Sequence, residues 1–216
     1  MFARRSLLAT PLIHDMIRLG GALVREQRSL HRATREMPRP IPWEWARPRL
    51  LPLLAGPRLD PRGEELVRTV MDPGCAVVFG LELGRAFALV DAPVAERWEC
   101  TAEQIRDVAL ANLQGRAAAL GPEAVTSGTL SGRIVRISRA TPWTSSLVLV
   151  ADELIRLFGS HDQLIAAPGS ATLISFEADT PPPVIADIVV DFEMNDPHPL
   201  LIDPFALVDG RLVWPG

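Results

Sequence analysis

The sequence predicts an α+β fold in which antiparallel hairpins alternate with about three packing helices, preceded by an N-terminal amphipathic helix. Glycine-containing turns separate pairs of short apolar runs, a pattern typical of β-hairpins. Because hairpins pair antiparallel, whereas βαβ units give parallel sheets, this order favours α+β over a doubly wound fold. The predicted hairpin pairs are 75–80 with 85–90, 164–167 with 172–176, and 201–208 with 211–214.

The longest predicted helix of the body begins at a capping box. Thr101 and Gln104 have the spacing at which each side chain caps the backbone N–H of the other. Apolar residues then recur on one face, and Gly121-Pro122 ends the helix near residue 119. Similar reasoning predicts further helices over 61–71, 145–158 and 181–194, and a strand over 129–137.

The first 36 residues contain the predicted basic amphipathic helix, over about 11–35. Pro11 suits a first helical position, and apolar residues recur at helical spacing from Leu12 to Leu30. The rest of this surface is basic, because it carries Arg18, Arg25, Arg28, Arg32 and Arg35.

Charge is distributed unevenly along the chain. Residues 1–68 hold 13 arginines against 7 acids, a net charge of +6, whereas 69–216 hold 9 against 19, a net charge of −10. A basic arm on an acidic body predicts contact with an anionic surface, a partner or the body itself.

Prolines divide the arm from the body. Seven of them fall within 37–61, a density that blocks both helix and central strand. We expect an extended linker over 37–47, followed by a short edge strand over 49–54. Trp43 and Trp45 lie on one side of this segment if it is extended. The predicted organisation is a helical extension over 1–36, a linker over 37–60 and an α+β domain over 61–216.

Several motifs, taken in order, resemble the YtpQ-like family of bacterial proteins over about 48–214. The run LELGRAFALVD at 81–91 is similar to that family's "LDLG…LID" signature, and the helix after Trp98 and Thr101 resembles its "W-T-x-E-x-I" helix. Strands at 132–138 and 164–168 and the hairpin at 209–212 follow in the same order. The family has no established activity, so the resemblance implies a fold without a reaction.

Two stretches depart from the family pattern. The helix opening at 142–147 lacks the acid and the arginine that the family carries there, and 169–171 lacks the family's acid after the strand proline. If those polar positions form a site in the family, this chain has lost most of it.

Catalytic signatures are scarce. The chain has no lysine, which excludes Schiff-base catalysis and a phosphate-loop lysine. Its 4 histidines form no HExxH pair, Cys75 and Cys100 lack metal-ligand spacing, and no GxSxG motif occurs. Cys100 precedes a predicted helix start, where the dipole lowers a thiol pKa, but no histidine is placed beside it. We expect no recognisable catalytic residue, cofactor or metal.

The sequence therefore favours a non-catalytic protein-interaction or adaptor module whose N-terminal helix seats on a partner groove. An anionic membrane surface and the helix's own domain are the alternative contacts, and the acidic body disfavours nucleic acid. No run approaches the roughly 18 apolar residues of a membrane span, which favours a cytoplasmic location. The predicted partner-binding residues are Arg18, Arg25, Arg28, Arg32, Trp43 and Trp45.

The competing hypothesis is an enzyme or small-ligand domain with an acidic site that no motif marks. Its candidate acids are Asp91, Asp196 and Asp203. It predicts a pocket with convergent polar groups and a carboxylate of perturbed pKa. The sequence leaves the oligomeric state open.

Overall fold

The computed structural model describes residues 37–56, 66–72, 75–84, 86–130, 132–196 and 199–213. The predicted N-terminal helix lies outside these residues. The helices are α1 (Trp43–Ala46), α2 (Ala92–Arg97), α3 (Ala102–Ala118), α4 (Ala151–Phe158) and α5 (Pro182–Asn195), with 3₁₀ turns at Arg47–Arg49, Pro122–Ala124 and Thr144–Leu149. The strands are β1 (Leu50–Ala55), β2 (Arg68–Asp72), β3 (Cys75–Leu83), β4 (Ala86–Leu89), β5 (Val125–Leu130), β6 (Arg133–Ser138), β7 (Gln163–Gly169), β8 (Thr172–Glu177), β9 (Phe205–Val208) and β10 (Arg211–Val213).

The strands form two antiparallel sheets. In the first, β3 is central and pairs with β1 on one side and with β2 and β4 on the other. The second has the order β10-β9-β7-β8-β6-β5. The three predicted hairpins are present as β3–β4, β7–β8 and β9–β10, each paired antiparallel. The α+β prediction is therefore confirmed.

The main core lies where both sheets meet α3 and α4. Helix α3 begins at the predicted capping box, in which Thr101 accepts from the Gln104 N–H and the Gln104 side chain accepts from the Thr101 N–H. Its core face repeats every four residues and is fully buried, and burying each of the larger side chains contributes about 2 kcal/mol. The face consists of Ile105, Ala109, Leu113 and Ala117.

A second, smaller core lies on the other face of the second sheet, beneath α5. Strand residues alternate between faces, so Ile174 and Phe176 point to this core while Leu173 points to the main one. Helix α5 places Ile185 against them and lies over its predicted range, 181–194. The second sheet is therefore covered on both faces.

Contacts at both ends fix the position of β1. Side chains of α3 hold the segment before it, because Asn112 Nδ2 donates to the carbonyls of Arg47 and Leu50, at 2.7 and 3.0 Å. At the other end, a Cβ atom on Gly56 would lie 1.6 Å from the carbonyl oxygen of Leu200. Only glycine fits this approach of two backbones.

Two predictions near the arm are wrong. Residues 43–46 form a helical turn rather than an extended linker, and Ala46 is fully buried. Within the predicted helix over 61–71, residues 68–72 form strand β2, paired with β3, because Thr69 and Val70 are β-branched and favour a pleated surface. The predicted edge strand over 49–54 is confirmed as β1, at an edge of the first sheet.

Two further elements differ from their predicted form. The single strand over 129–137 is a hairpin of β5 and β6, because Gly132 takes a φ of 82° in the turn. The predicted helix over 145–158 begins as a 3₁₀ turn and becomes α-helical at Ala151. The Ser145 N–H donates to Ser170, on the β7–β8 turn, rather than to the carbonyl four residues earlier.

Candidate functional site

An aromatic contact holds residues 41–43, which lie directly after the arm, against the end of α2. We call Ile41, Trp43 and Trp98 the N-terminal clasp. The indole Nε1 of Trp98 donates to the Ile41 carbonyl at 2.9 Å. The rings of Trp43 and Trp98 lie 5.3 Å apart, tilted by 51°, in the range of favourable aromatic pairs. Trp98 is 8% exposed, so its indole N–H requires this internal acceptor.

Local sequence places Trp98 at the end of a short capped helix. Asp91 is the N-cap of α2, and its carboxylate accepts from the Val94 N–H at 2.8 Å. Pro93 lies in the first turn, where no N–H is needed, and the Trp98 N–H ends the helix by donating to the carbonyls of Val94 and Ala95. Asp91, a candidate acid of the enzyme hypothesis, therefore has a structural role.

Trp45 is held on its own domain as well. Its ring lies 4.3 Å from the Arg49 guanidinium carbon, and Arg49 Nη1 donates to the Trp45 carbonyl at 2.8 Å. Trp43 and Trp45 are both half-buried against the main core, which leaves part of each ring exposed. The other predicted partner-binding residues, Arg18, Arg25, Arg28 and Arg32, lie outside the described residues.

Exposed acids lie on both sides of Trp98 in the sequence, at Glu96, Glu99 and Glu103. The pKa of Glu103 is lowered, first by its own backbone N–H at the start of α3 and then by the Thr101 hydroxyl. An anion at a helix N-terminus is the arrangement that the helix dipole favours. The three carboxylates make this part of the surface acidic.

The pKa of the Cys100 thiol is raised, although a position at a helix start can lower the pKa of a thiol. Burial, and secondarily the charge of Glu99, raise the pKa of its thiol. The Sγ donates to the Trp98 carbonyl at 3.3 Å, which also favours the protonated form. Cys100 is therefore a thiol at neutral pH and a poor nucleophile.

A hydroxyl-rich junction forms where the 3₁₀ turn at Thr144–Leu149 packs near the β7–β8 hairpin. Its buried hydroxyls at Ser145 and Ser146, and that of Ser138 at the end of β6, have no hydrogen-bond partner among the described residues. The Ser145 N–H donates to the Ser170 carbonyl at 3.0 Å. The structure thus brings together the two stretches, 142–147 and 169–171, at which the chain departs from the YtpQ-like pattern.

The candidate acids lie on separate elements. Asp196 follows α5, and its Oδ2 would lie 1.9 Å from a Cβ atom on Gly169, so its carboxylate sits against the β7–β8 turn. Asp203 is exposed in the segment before β9, and Asp91 caps α2. In the part of the chain that the structure describes, no group of three or more His, Cys, Asp or Glu side chains could hold a metal ion.

Sequence reasoning missed both the partner of Trp43 and the junction. The clasp joins residues 57 positions apart, and no local pattern marks such a pair. The one available signal was Trp98 at the end of a short helix that Asp91 caps at its start, since a tryptophan that ends a short helix needs an acceptor for its indole N–H. None of the described helices is long and apolar enough to cross a membrane.

The chain was also compared with known proteins. No protein-family model, curated protein or solved structure matches it.

Proposed function

We propose that this chain is a protein-interaction or adaptor module, in which the α+β domain presents the basic N-terminal segment to a partner. The observation that supports this is the N-terminal clasp, which fixes residues 41–43 on the body. Residues 1–36 carry the arginine-rich arm and join the domain directly before this contact. An arm attached at a fixed point loses less freedom on binding than one on a loose linker.

The partner should be an acidic protein surface with an apolar groove. The arm combines an apolar stripe with arginines, and an arginine guanidinium matches a carboxylate with two parallel hydrogen bonds. The proposal includes a cytoplasmic location and membership of the YtpQ-like family, the latter supported by the order of motifs over 48–214. Peripheral contact with an anionic membrane is the competing role of the same arm.

A charge-matched pair of full-length variants tests the proposal. The first replaces four arginines of the arm with glutamine, and the second replaces four exposed arginines of the folded body, so both lose the same charge. The arm set is Arg18, Arg25, Arg28 and Arg32, and the body set is Arg68, Arg97, Arg106 and Arg139. Each protein is used in a pull-down from native lysate with quantitative mass spectrometry, and in sedimentation with anionic and neutral vesicles.

We expect one protein partner to be captured by the wild type and by the body variant, and lost with the arm variant. Equal loss of the partner with both variants would mean that the interaction depends only on net charge, which would contradict the proposal. Binding to anionic vesicles without a protein partner would assign the arm to a membrane surface instead.

The buried hydroxyls of the junction favour a second candidate, a small-ligand domain. Three such groups without partners cost stability unless something satisfies them, and Asp196 adds a carboxylate at the neighbouring turn. A thermal-shift screen of full-length protein with small polar metabolites tests this candidate. A ligand whose stabilisation is lost in Ser145→Ala would support it, and a screen without hits would reject it.

A further inference from the structure

Strand β5 forms one end of the second sheet, and no described strand lies on its outer side. Val125–Leu130 pairs antiparallel with β6 along its full length, without a bulge. Among the residues that the structure describes, no other strand pairs with it. In an antiparallel ladder every second residue turns its N–H and C=O away from the neighbouring strand, so β5 presents unpaired backbone groups. Thr126, Ser127 and Thr129 are exposed along it.

The other described edges carry features by which proteins block strand addition, and β4 among them has only 4 residues. Strand β1 has Pro52 at its centre and is buried along its whole length. Strand β2 has a register shift between Val70 and Asp72, and β10 has 3 residues and begins with Arg211. Strand β5 has no charged residue, no proline and no bulge. It is therefore suited to accept a further strand.

An arginine that no described carboxylate pairs with lies beside this edge. Arg136 is directly opposite Ser127 in the β5–β6 register and is half-buried. Its Nη1 lies 3.0 Å from Nε2 of His161, and no ion pair joins it to a carboxylate of the described residues. Arg133, on the same strand, is paired with an aspartate after β8, and the charge of Glu177 also acts on it.

We propose that β5 accepts an extended peptide of a partner protein as a seventh, antiparallel strand, with a peptide carboxylate paired to Arg136. Main-chain hydrogen bonds supply affinity in this mode, and side chains on alternate positions supply selectivity. The residues of this surface lie outside the arm in the sequence, so the inference goes beyond the proposed function and does not depend on it.

The distances of a sheet permit this pairing. Adjacent strands lie about 4.8 Å apart, which places the added strand about 9.6 Å from β6. An arginine side chain of about 6 Å and a glutamate side chain of about 4 Å together span that separation. Ser127 lies between them with a small side chain, so the two charged groups meet above it. The preferred peptide residue is therefore a glutamate opposite Ser127.

The test uses full-length protein and fluorescent peptides of about eight residues that alternate threonine and valine, with a central glutamate or glutamine. Fluorescence anisotropy measures affinity, and amide chemical shifts locate the bound peptide. We expect the glutamate peptide to bind about five-fold more tightly than the glutamine peptide. Shift changes should concentrate at 125–130, and the preference should disappear in Arg136→Gln.

Two further variants form a matched pair on neighbouring residues. Ser127→Glu offers Arg136 a carboxylate within the protein and should remove the preference for the glutamate peptide. Thr126→Glu adds the same charge to the same strand, but on the opposite face of the sheet, and should keep the preference. Both positions are exposed, and amide spectra of each variant establish that it is folded.

Equal affinity for the two peptides in the wild type would overturn the proposal, as would a preference that persists in Arg136→Gln. Failure of both peptides to bind the folded protein at millimolar concentration would also overturn it. Concentration-dependent dimerisation that Thr129→Lys abolishes would assign the edge to a second copy of the chain and exclude a partner peptide.

Discussion

Replacing Trp98 with phenylalanine should loosen the N-terminal clasp while the rest of the domain stays folded. The change removes the 2.9 Å hydrogen bond to the Ile41 carbonyl, worth about 1 kcal/mol net. It also replaces the indole packed on Trp43 with a smaller phenyl ring at a site that is 8% exposed, and this lost packing costs about another 1 kcal/mol. A loss of about 2 kcal/mol corresponds to a decrease in melting temperature of about 4–8 °C for a domain of this size.

Hydrogen exchange measured by mass spectrometry separates the clasp from the rest of the domain. The amides of Trp45 and Ala46 donate to the Pro42 carbonyl, and they should exchange faster in Trp98→Phe than amides of the sheets do. Trp143→Phe is the control, because Trp143 is a tryptophan of the main core, 4% exposed and outside the clasp. If both variants accelerate exchange over 43–46 equally, the clasp does not hold the arm side of the domain.

Three further predictions concern single positions. Gly56→Ala should destabilise the domain by more than about 3 kcal/mol, because the new Cβ atom would lie 1.6 Å from a backbone oxygen. Gly115→Ala lies in open space on α3 and should stabilise the domain by about 1 kcal/mol. Chemical denaturation measures both changes. Cys100 should react with iodoacetamide at pH 7 more slowly than a cysteine in an unstructured peptide, since its pKa is raised, and a faster reaction would contradict this. Asp179 should titrate below a model aspartate in carboxyl NMR, because Arg133 lowers its pKa. The pair therefore contributes stability above the unfolded pKa of the aspartate and loses it as pH falls through the folded pKa. Arg133→Gln should raise the midpoint of the Asp179 titration.

Local chemistry made much of the fold predictable. The capping box at Thr101 starts α3, and the glycine turns give the hairpins β3–β4, β7–β8 and β9–β10, because each signal acts within a few residues of its position. Residues 68–71 fall within the predicted helix over 61–71, since apolar spacing is ambiguous over so short a run. Pairing with the long strand β3 makes residues 68–72 a strand.

Long-range contacts account for what the sequence could not provide. The order of the second sheet places β8 between β6 and β7, and no turn signal specifies the β6–β8 pair. The clasp and the contact of Ser145 with Ser170 likewise join distant segments. Residue type alone indicated that Trp43 and Trp45 pack against another surface, but it could not show whether that surface belongs to a partner protein or to the domain itself. The structure places part of each ring on the domain.

The buried serines allow the two candidate functions to be separated by a stability measurement. Ser146 is fully buried and its hydroxyl has no hydrogen-bond partner in the part of the chain that the structure describes, whereas buried Ser175 donates to the Gln163 side chain. Removing a hydroxyl that has no partner relieves a desolvation cost, so Ser146→Ala should be neutral or stabilising by up to about 1 kcal/mol. Ser175→Ala should destabilise by about 1–3 kcal/mol, because it deprives the Gln163 oxygen of its donor.

Urea denaturation of the two variants beside the wild type gives the comparison, with unchanged m-values as evidence that the native states are equally compact. If Ser146→Ala instead costs as much as Ser175→Ala, the Ser146 hydroxyl has a partner outside the described residues. A buried water would form a hydrogen bond with this hydroxyl in every preparation. A small ligand would do so only until dialysis under partial denaturation removes that ligand. A cost that disappears after such dialysis would therefore favour the small-ligand domain, and a stabilising substitution would favour the interaction module.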